Sequence, residues 1–246
     1  LAALRLAKQS GVYTLAVVNV AGSSIAREAD SVIYTWAGPE IAVASTKAYT
    51  VQIAVMYLFA LRLAYACGRI DEKTVKSYVS ELLDIAPKMI QKALDMEKQC
   101  SEIAKKYKDN NDIFFIGRGA DYALSMEAAL KLKEISYIHC EAYAAGELKH
   151  GTISLVTDGT PVFALANYEG LYEKMISNIK EVRARGARVI LLCGENAVIP
   201  ENVADDVLRV PRMSELFMPV PTATLSQLIA YYTALYLGCD VDKPRN

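Results

Sequence analysis

The stretch Asp112–Gly151 reads DIFFIGRGADYALSMEAALKLKEISYIHCEAYAAGELKHG. Asp112 to Ile116 is a short apolar run, which predicts a buried strand. Gly117-Arg118-Gly119 turns the chain out of it, and a helix is expected around Tyr122 to Ile135. Where a dinucleotide fingerprint has its third glycine, this chain has Tyr122, so the turn is read as a tight turn and no cofactor is expected. Downstream, Pro161–Ala166, Arg188–Cys193 and Asp206–Pro211 read as further strands. They alternate with helices at Tyr168–Arg185 and Thr222–Leu237. Short β-branched strands alternating with helices make an α/β fold whose parallel sheet is flanked by helices.

Shifting the sequence by 175 positions lays its opening on its close without a gap. Gly11 falls on Gly186, Asp30 on Asp205, Glu40 on Glu215, Gln52 on Gln227 and Tyr57 on Tyr232, and the apolar runs keep register. The first copy is expected to hold a helix at Leu1–Gln9, strands at Tyr13–Val20 and Ser31–Trp36, and a long helix at Ser45–Cys67. The second copy has a strand, a helix and a strand in front of these elements. The first copy is thus expected to be a domain truncated at its N-terminus, short by roughly 60 to 70 residues. The division reads as 1–70 for the first domain, 71–109 for a charged helical connector and 110–246 for the second domain. Pro87 breaks or restarts the connector.

Across 246 residues, 53% hydrophobic and 22% charged content predict a well-buried core. A net charge of −1 without a basic block argues against nucleic acid. The apolar run Val51–Leu61 reads as too short and interrupted to span a bilayer, so no membrane is expected. Lys8 and Gln9 interrupt the first turns, so no secretory signal is expected. Five cysteines without a CxxC pair read as mostly buried thiols of a reducing cytoplasm. Two histidines without ligand spacing give no reason to expect a metal site.

Chemistry concentrates in the opening stretch. Glu127, Lys131 and Glu134 share one helix face, while Ala128, Leu132 and Ile135 form an apolar one. Read alone, the charges make either a solvated face or a proton-transfer site. From Ala142 to Gly151 a loop rich in small residues carries His150, which can move a proton near neutral pH or simply sit on the surface. His139, in an apolar context, reads as structural. In the first copy, Glu40, Val43 and Ser45 open the long helix. Ser45 is the expected N-cap there, and its backbone amides are candidates for a ligand. The stripe Val51, Val55, Leu58 reads as core or subunit interface.

The run ALKLKEISYIHCEAYAAGELKHG (residues 129–151), with FIGRG (115–119) upstream, resembles the second sugar-isomerase (SIS) domain of the glucosamine-6-phosphate synthase family. PEIAVASTKAYT (39–50) resembles the matching loop of the first SIS domain, and VDKPRN (241–246) the start of the family's C-terminal tail. The resemblance implies two SIS domains and conversion of fructose 6-phosphate and ammonia to glucosamine 6-phosphate. In the intact enzyme a glutaminase domain releases that ammonia from glutamine. It implies that Glu134 shuttles a proton between C1 and C2, that Lys131 and Glu127 set its surroundings, and that Val43 and Ser45 border the sugar. His150 resembles the ring-opening histidine, which the family supplies from a neighbouring subunit, so a homodimer is implied. The family's phosphate loop and Schiff-base lysine would fall just outside residues 1–246, so this stretch alone is expected to be inactive. Thr152 stands where the family commonly has proline. A deglycase-like SIS enzyme and a non-enzymatic sugar-phosphate sensor are the alternatives.

Overall fold

The structure, a computed structural model, describes residues 1–245 and divides into two units, Leu1–Val79 and the remainder from Ser80. The first unit runs α1 (Ala2–Gln9), β1 (Leu15–Val18), α2 (Ser24–Glu28), β2 (Ser31–Tyr34) and α3 (Lys47–Ala66). β1 and β2 are parallel, with Leu15 opposite Ser31. After α4 (Glu72–Ser80), one π-helical turn at Glu81–Ile85 leads into α5 (Ala86–Leu94). Pro87 sits in the first turn of α5, where a helix does not need its N–H. The restart expected at this proline is therefore a π turn followed by a fresh helix start.

The second unit continues through α6 (Glu97–Tyr107), β3 (Asp112–Gly117), α7 (Ala120–Ser136), β4 (His139–Ala144), β5 (Pro161–Ala166), α8 (Glu169–Arg183), β6 (Arg188–Gly194), β7 (Asp206–Val210) and α9 (Pro219–Tyr236). Its five strands form one parallel sheet in the order β4-β3-β5-β6-β7. The interior of β3, all of β5 and most of β6 are buried because helices cover both faces, so apolar residues run without alternation. On one face, Phe114, Ile116, Val162 and Leu191 pack with Met175 and Ile179 of α8. Side chains alternate along a strand, so Phe115 and Phe163 share the other face, stacked at 4.9 Å. α9 packs against α5, α6 and α7.

The duplication appears atom for atom. Ile190 lies opposite Asp206 on β6–β7, the register of Leu15 opposite Ser31 on β1–β2. Asp205 accepts from the Val189 backbone N–H at 2.8 Å and pairs with Arg183 at 2.6 Å. Asp30, in the same place, accepts from Thr14 N–H at 2.9 Å and pairs with Lys8 at 2.8 Å. In both copies a carboxylate staples the end of a helix to the start of a strand.

Three expectations change. The loop read from Ala142 is strand as far as Ala144, paired along β3. The stripe Val51, Val55, Leu58 is not a core in its unit: Leu58 is exposed, and of α3 only Leu61 is buried. α3 extends well past the Val51–Leu61 run, and its 20 residues are long and apolar enough to cross a membrane by length and composition. Its counterpart α9 has the same character and is a buried core helix.

Candidate active site

α7 leaves the carboxyl end of β3, the place where open α/β sheets present ligand-binding residues. Helical spacing puts Leu124, Ala128, Leu132 and Ile135 into the core. The neighbouring face carries the charges, and it is only partly solvated. Lys131 is only 5% exposed. Its Nζ donates to Glu134 Oε2 at 2.7 Å and lies 3.6 Å from Glu127 Oε1, an ion pair without a hydrogen bond. That Glu127 oxygen is buried with no hydrogen-bond partner. Burial raises the Glu127 carboxyl above its ordinary range; Lys131 opposes this and Glu134 adds to it. One ammonium thus holds two carboxylates in a partly dry setting, and Glu134 keeps the more open edge.

β4 is the edge strand beside β3, and the chain beyond it carries His150. Ala145 and Leu148, both buried, pin that chain, and Ala145 N–H donates to Gly117 O at 2.9 Å. A 3₁₀ turn, Leu148–His150, ends at Gly151 with φ 149°. Only glycine takes that conformation without strain. The imidazole of His150 is 76% exposed, and Glu147 stands 3.9 Å away, beyond hydrogen-bond reach. The ring faces solvent, and neither a hydrogen bond nor an ion pair joins it to Glu134. His139 lies on the surface and not in the apolar setting that its neighbours suggested: it pairs with Asp112 at 2.7 Å, which raises its pKa.

In the first unit Val43 is exposed. Ser45 is not the N-cap. Thr46 occupies that position without a side-chain bond, and the capping is done by Glu40. Its carboxylate accepts from Thr46 N–H at 2.8 Å, Ala48 N–H at 3.2 Å and Ser45 Oγ at 2.8 Å. Burial acts to raise Glu40, but these bonds outweigh it and hold the group below the ordinary range. A carboxylate meets more of the free helix amides than one hydroxyl can, so it wins the cap.

The second copy's own crevice is a cavity of about 1070 Å³ at the carboxyl ends of β5 and β6. Glu169, Glu173, Glu195 and Glu215 line it, and Glu215 takes the Glu169 N–H at 2.8 Å. The first free amide of α8, which could meet a phosphate, is thereby filled by a carboxylate.

Sequence reasoning did not find Tyr137. It ends α7 in a left-handed conformation, φ 64°, one turn beyond Glu134. Its Oη accepts from Arg245 N–H at 2.9 Å, and the Arg245 guanidinium lies 4.3 Å from its ring centre. Arg245 is thus docked on the end of the helix that carries Glu127, Lys131 and Glu134. A non-glycine left-handed cap leaves no spacing signal.

A sequence profile described as the SIS domain matches residues 1–62 and 106–237. The chain belongs to the SIS domain family. This SIS chain is 51% identical over its whole length to a glutamine–fructose-6-phosphate aminotransferase (isomerizing) of Caldanaerobacter subterraneus, and 52% identical to one of Symbiobacterium thermophilum. It spans 40% of the length of each of these curated relatives. The solved C-terminal domain of glucosamine-fructose-6-phosphate aminotransferase from Francisella tularensis superposes with a TM-score of 0.93 at 36% identity, over 98% of this SIS chain and 69% of that one.

Proposed function

We propose that this chain is the isomerase part of a glucosamine-6-phosphate synthase, converting fructose 6-phosphate and ammonia to glucosamine 6-phosphate and water. The observation that carries the reading is the Glu127–Lys131–Glu134 cluster on α7, in which a buried ammonium holds two partly buried carboxylates. His150 takes the proton of the anomeric hydroxyl as the ring opens and returns it to the ring oxygen, leaving a ketone at C2. Ammonia condenses there with loss of water. Glu134 then removes a proton from C1 and delivers it to C2, while the O1 hydroxyl proton passes to the imine nitrogen, leaving an aldehyde at C1 and an amine at C2. A carboxylate suits this step because one group must both take and return the proton. Lys131 fixes the orientation of Glu134, and Glu127, the second carboxylate on that ammonium, sets its electrostatic surroundings. Val43 and Ser45 border the sugar.

On the same reading, residues 1–70 and 110–246 belong to two SIS domains joined by the connector 71–109. The protein is a cytoplasmic homodimer, and in the full-length protein a glutaminase domain supplies the ammonia. The test uses the full-length protein with fructose 6-phosphate and either ammonia or glutamine. Glucosamine 6-phosphate is expected, and Glu134→Gln is expected to lower its formation by about 10²- to 10⁴-fold. An unimpaired variant removes Glu134 from the mechanism.

A further inference from the structure

The loop carrying His150 is tied to α8 of its own unit by side chains that the scheme above leaves unused. Arg118, in the turn between β3 and α7, donates from Nε to Asn178 Oδ1 at 2.9 Å. Asn178 lies on α8, is 5% exposed, and donates from Nδ2 to Glu181 Oε2 at 3.2 Å. The other Glu181 oxygen holds Lys149 Nζ at 2.8 Å, and Lys149 adjoins His150. Arg118 also covers Gly146: a Cβ there would stand 2.9 Å from Nη2 of the guanidinium.

This arrangement has a direction. A buried amide with its oxygen on a guanidinium and its nitrogen on a carboxylate has one satisfied orientation. Turning it over would set donor against donor and acceptor against acceptor. Asn178 therefore fixes Arg118 on one side and Glu181 on the other. These two hold Gly146 and Lys149, which flank the buried Leu148. Glu147 N–H donates to Ala144 O at 2.8 Å and His150 N–H to Glu147 O at 3.0 Å, so the backbone from 146 to 150 is held while the His150 ring is 76% exposed. An imidazole that moves a proton on a sugar needs placement to a fraction of an ångström, and an exposed ring can obtain it only from its backbone mount.

We propose that Asn178 is a positioning residue for ring opening, acting through Arg118–Gly146 and Glu181–Lys149 to set how the loop presents His150. The proposal rests on the ring-opening role given to His150 above. A network that only stabilised the fold would lower turnover alike for every substrate. A mount for His150 matters only where a ring must open.

The experiment compares two substrates with the full-length protein. Fructose 6-phosphate closes into a furanose; 5-deoxyfructose 6-phosphate lacks the hydroxyl that closes it and stays open. Asn178→Leu and Glu181→Gln are expected to lower kcat/KM for fructose 6-phosphate by about 10²-fold, while the open-chain substrate stays within about threefold of wild type. Lys149→Arg keeps the ion pair and is expected to retain the fructose 6-phosphate rate. Should Asn178→Leu fail to fold, Glu181→Gln carries the test, since Glu181 is partly exposed. Equal losses on both substrates, or no loss on either, overturn the proposal while the function reading stands. Wild-type protein that turns over neither substrate overturns that reading and the proposal with it.

Discussion

Lys131 is the residue on which the candidate site balances. It is the cation for two carboxylates, and one of them, Glu127, has an oxygen buried without a hydrogen bond. Removing one partner of a buried ion pair costs more than the pair itself contributes, because the remaining charge stays desolvated. Lys131→Met is expected to lower stability by about 3 kcal/mol at pH 7 in urea unfolding. The sign of its pH dependence follows from Glu127, whose carboxyl burial already raises. Without the ammonium it rises further, so the native state binds that proton more tightly than the unfolded chain, and stability recovers as pH falls. The deficit should therefore be largest at neutral pH and shrink toward pH 4; a constant deficit would mean that Glu127 is not strained by burial. Gly151→Ala forces a side chain into φ 149° beside His150. The expected cost is about 1–3 kcal/mol, read as a shift in thermal midpoint.

At the scale of elements, the two copies repeat one device. Asp30 and Asp205 each staple a preceding helix to the strand that follows it. For Asp205, burial pushes the pKa up, but the bonds from Val189, Arg188 and Arg183 prevail and hold it below the ordinary value. A carboxylate with a depressed native pKa contributes stability above its unfolded pKa and loses it as pH falls through the native one. Asp205→Asn is expected to destabilise the protein by about 1–3 kcal/mol at pH 7, with the difference from wild type closing below about pH 4. Denaturant midpoints measured against pH would show it, and parallel curves would reject the staple. Helices α3 and α9 occupy corresponding places and are apolar all round. α9 is wrapped by α5, α6 and α7, whereas within its unit α3 buries only Leu61. Composition alone therefore does not say whether such a helix is core.

For the whole molecule, the outward ring of His150 bears on assembly. If that ring serves a neighbouring subunit, Glu134→Gln and His150→Ala chains are each inactive alone, yet a mixed dimer joins one intact base to one intact histidine. Equal mixing after subunit exchange should restore about one quarter of the wild-type rate, from one working site in each of half the dimers. No recovery despite exchange would place both residues in one subunit's site. Much of this organisation was legible beforehand. The 175-residue shift carried through to identical strand registers, because a one-residue slip would turn every side chain of a strand to the other face of the sheet. The triad was legible because helical spacing alone fixes which side chains share a face.

Pattern in the sequence was enough for most of the elements and the charged face of α7, which depend on neighbours a few positions apart, and for the duplication, which needs only that two segments keep one pattern. Tertiary structure decided what local pattern cannot reach. It showed that Lys131, at the centre of the charged face, is buried, because its dryness depends on what packs around α7. It gave the α3 cap to Glu40 instead of Ser45, because a carboxylate several residues away competes for the same amides. It joined Arg118, Asn178, Glu181 and Lys149, which lie up to 63 positions apart in the chain, into one mount for His150.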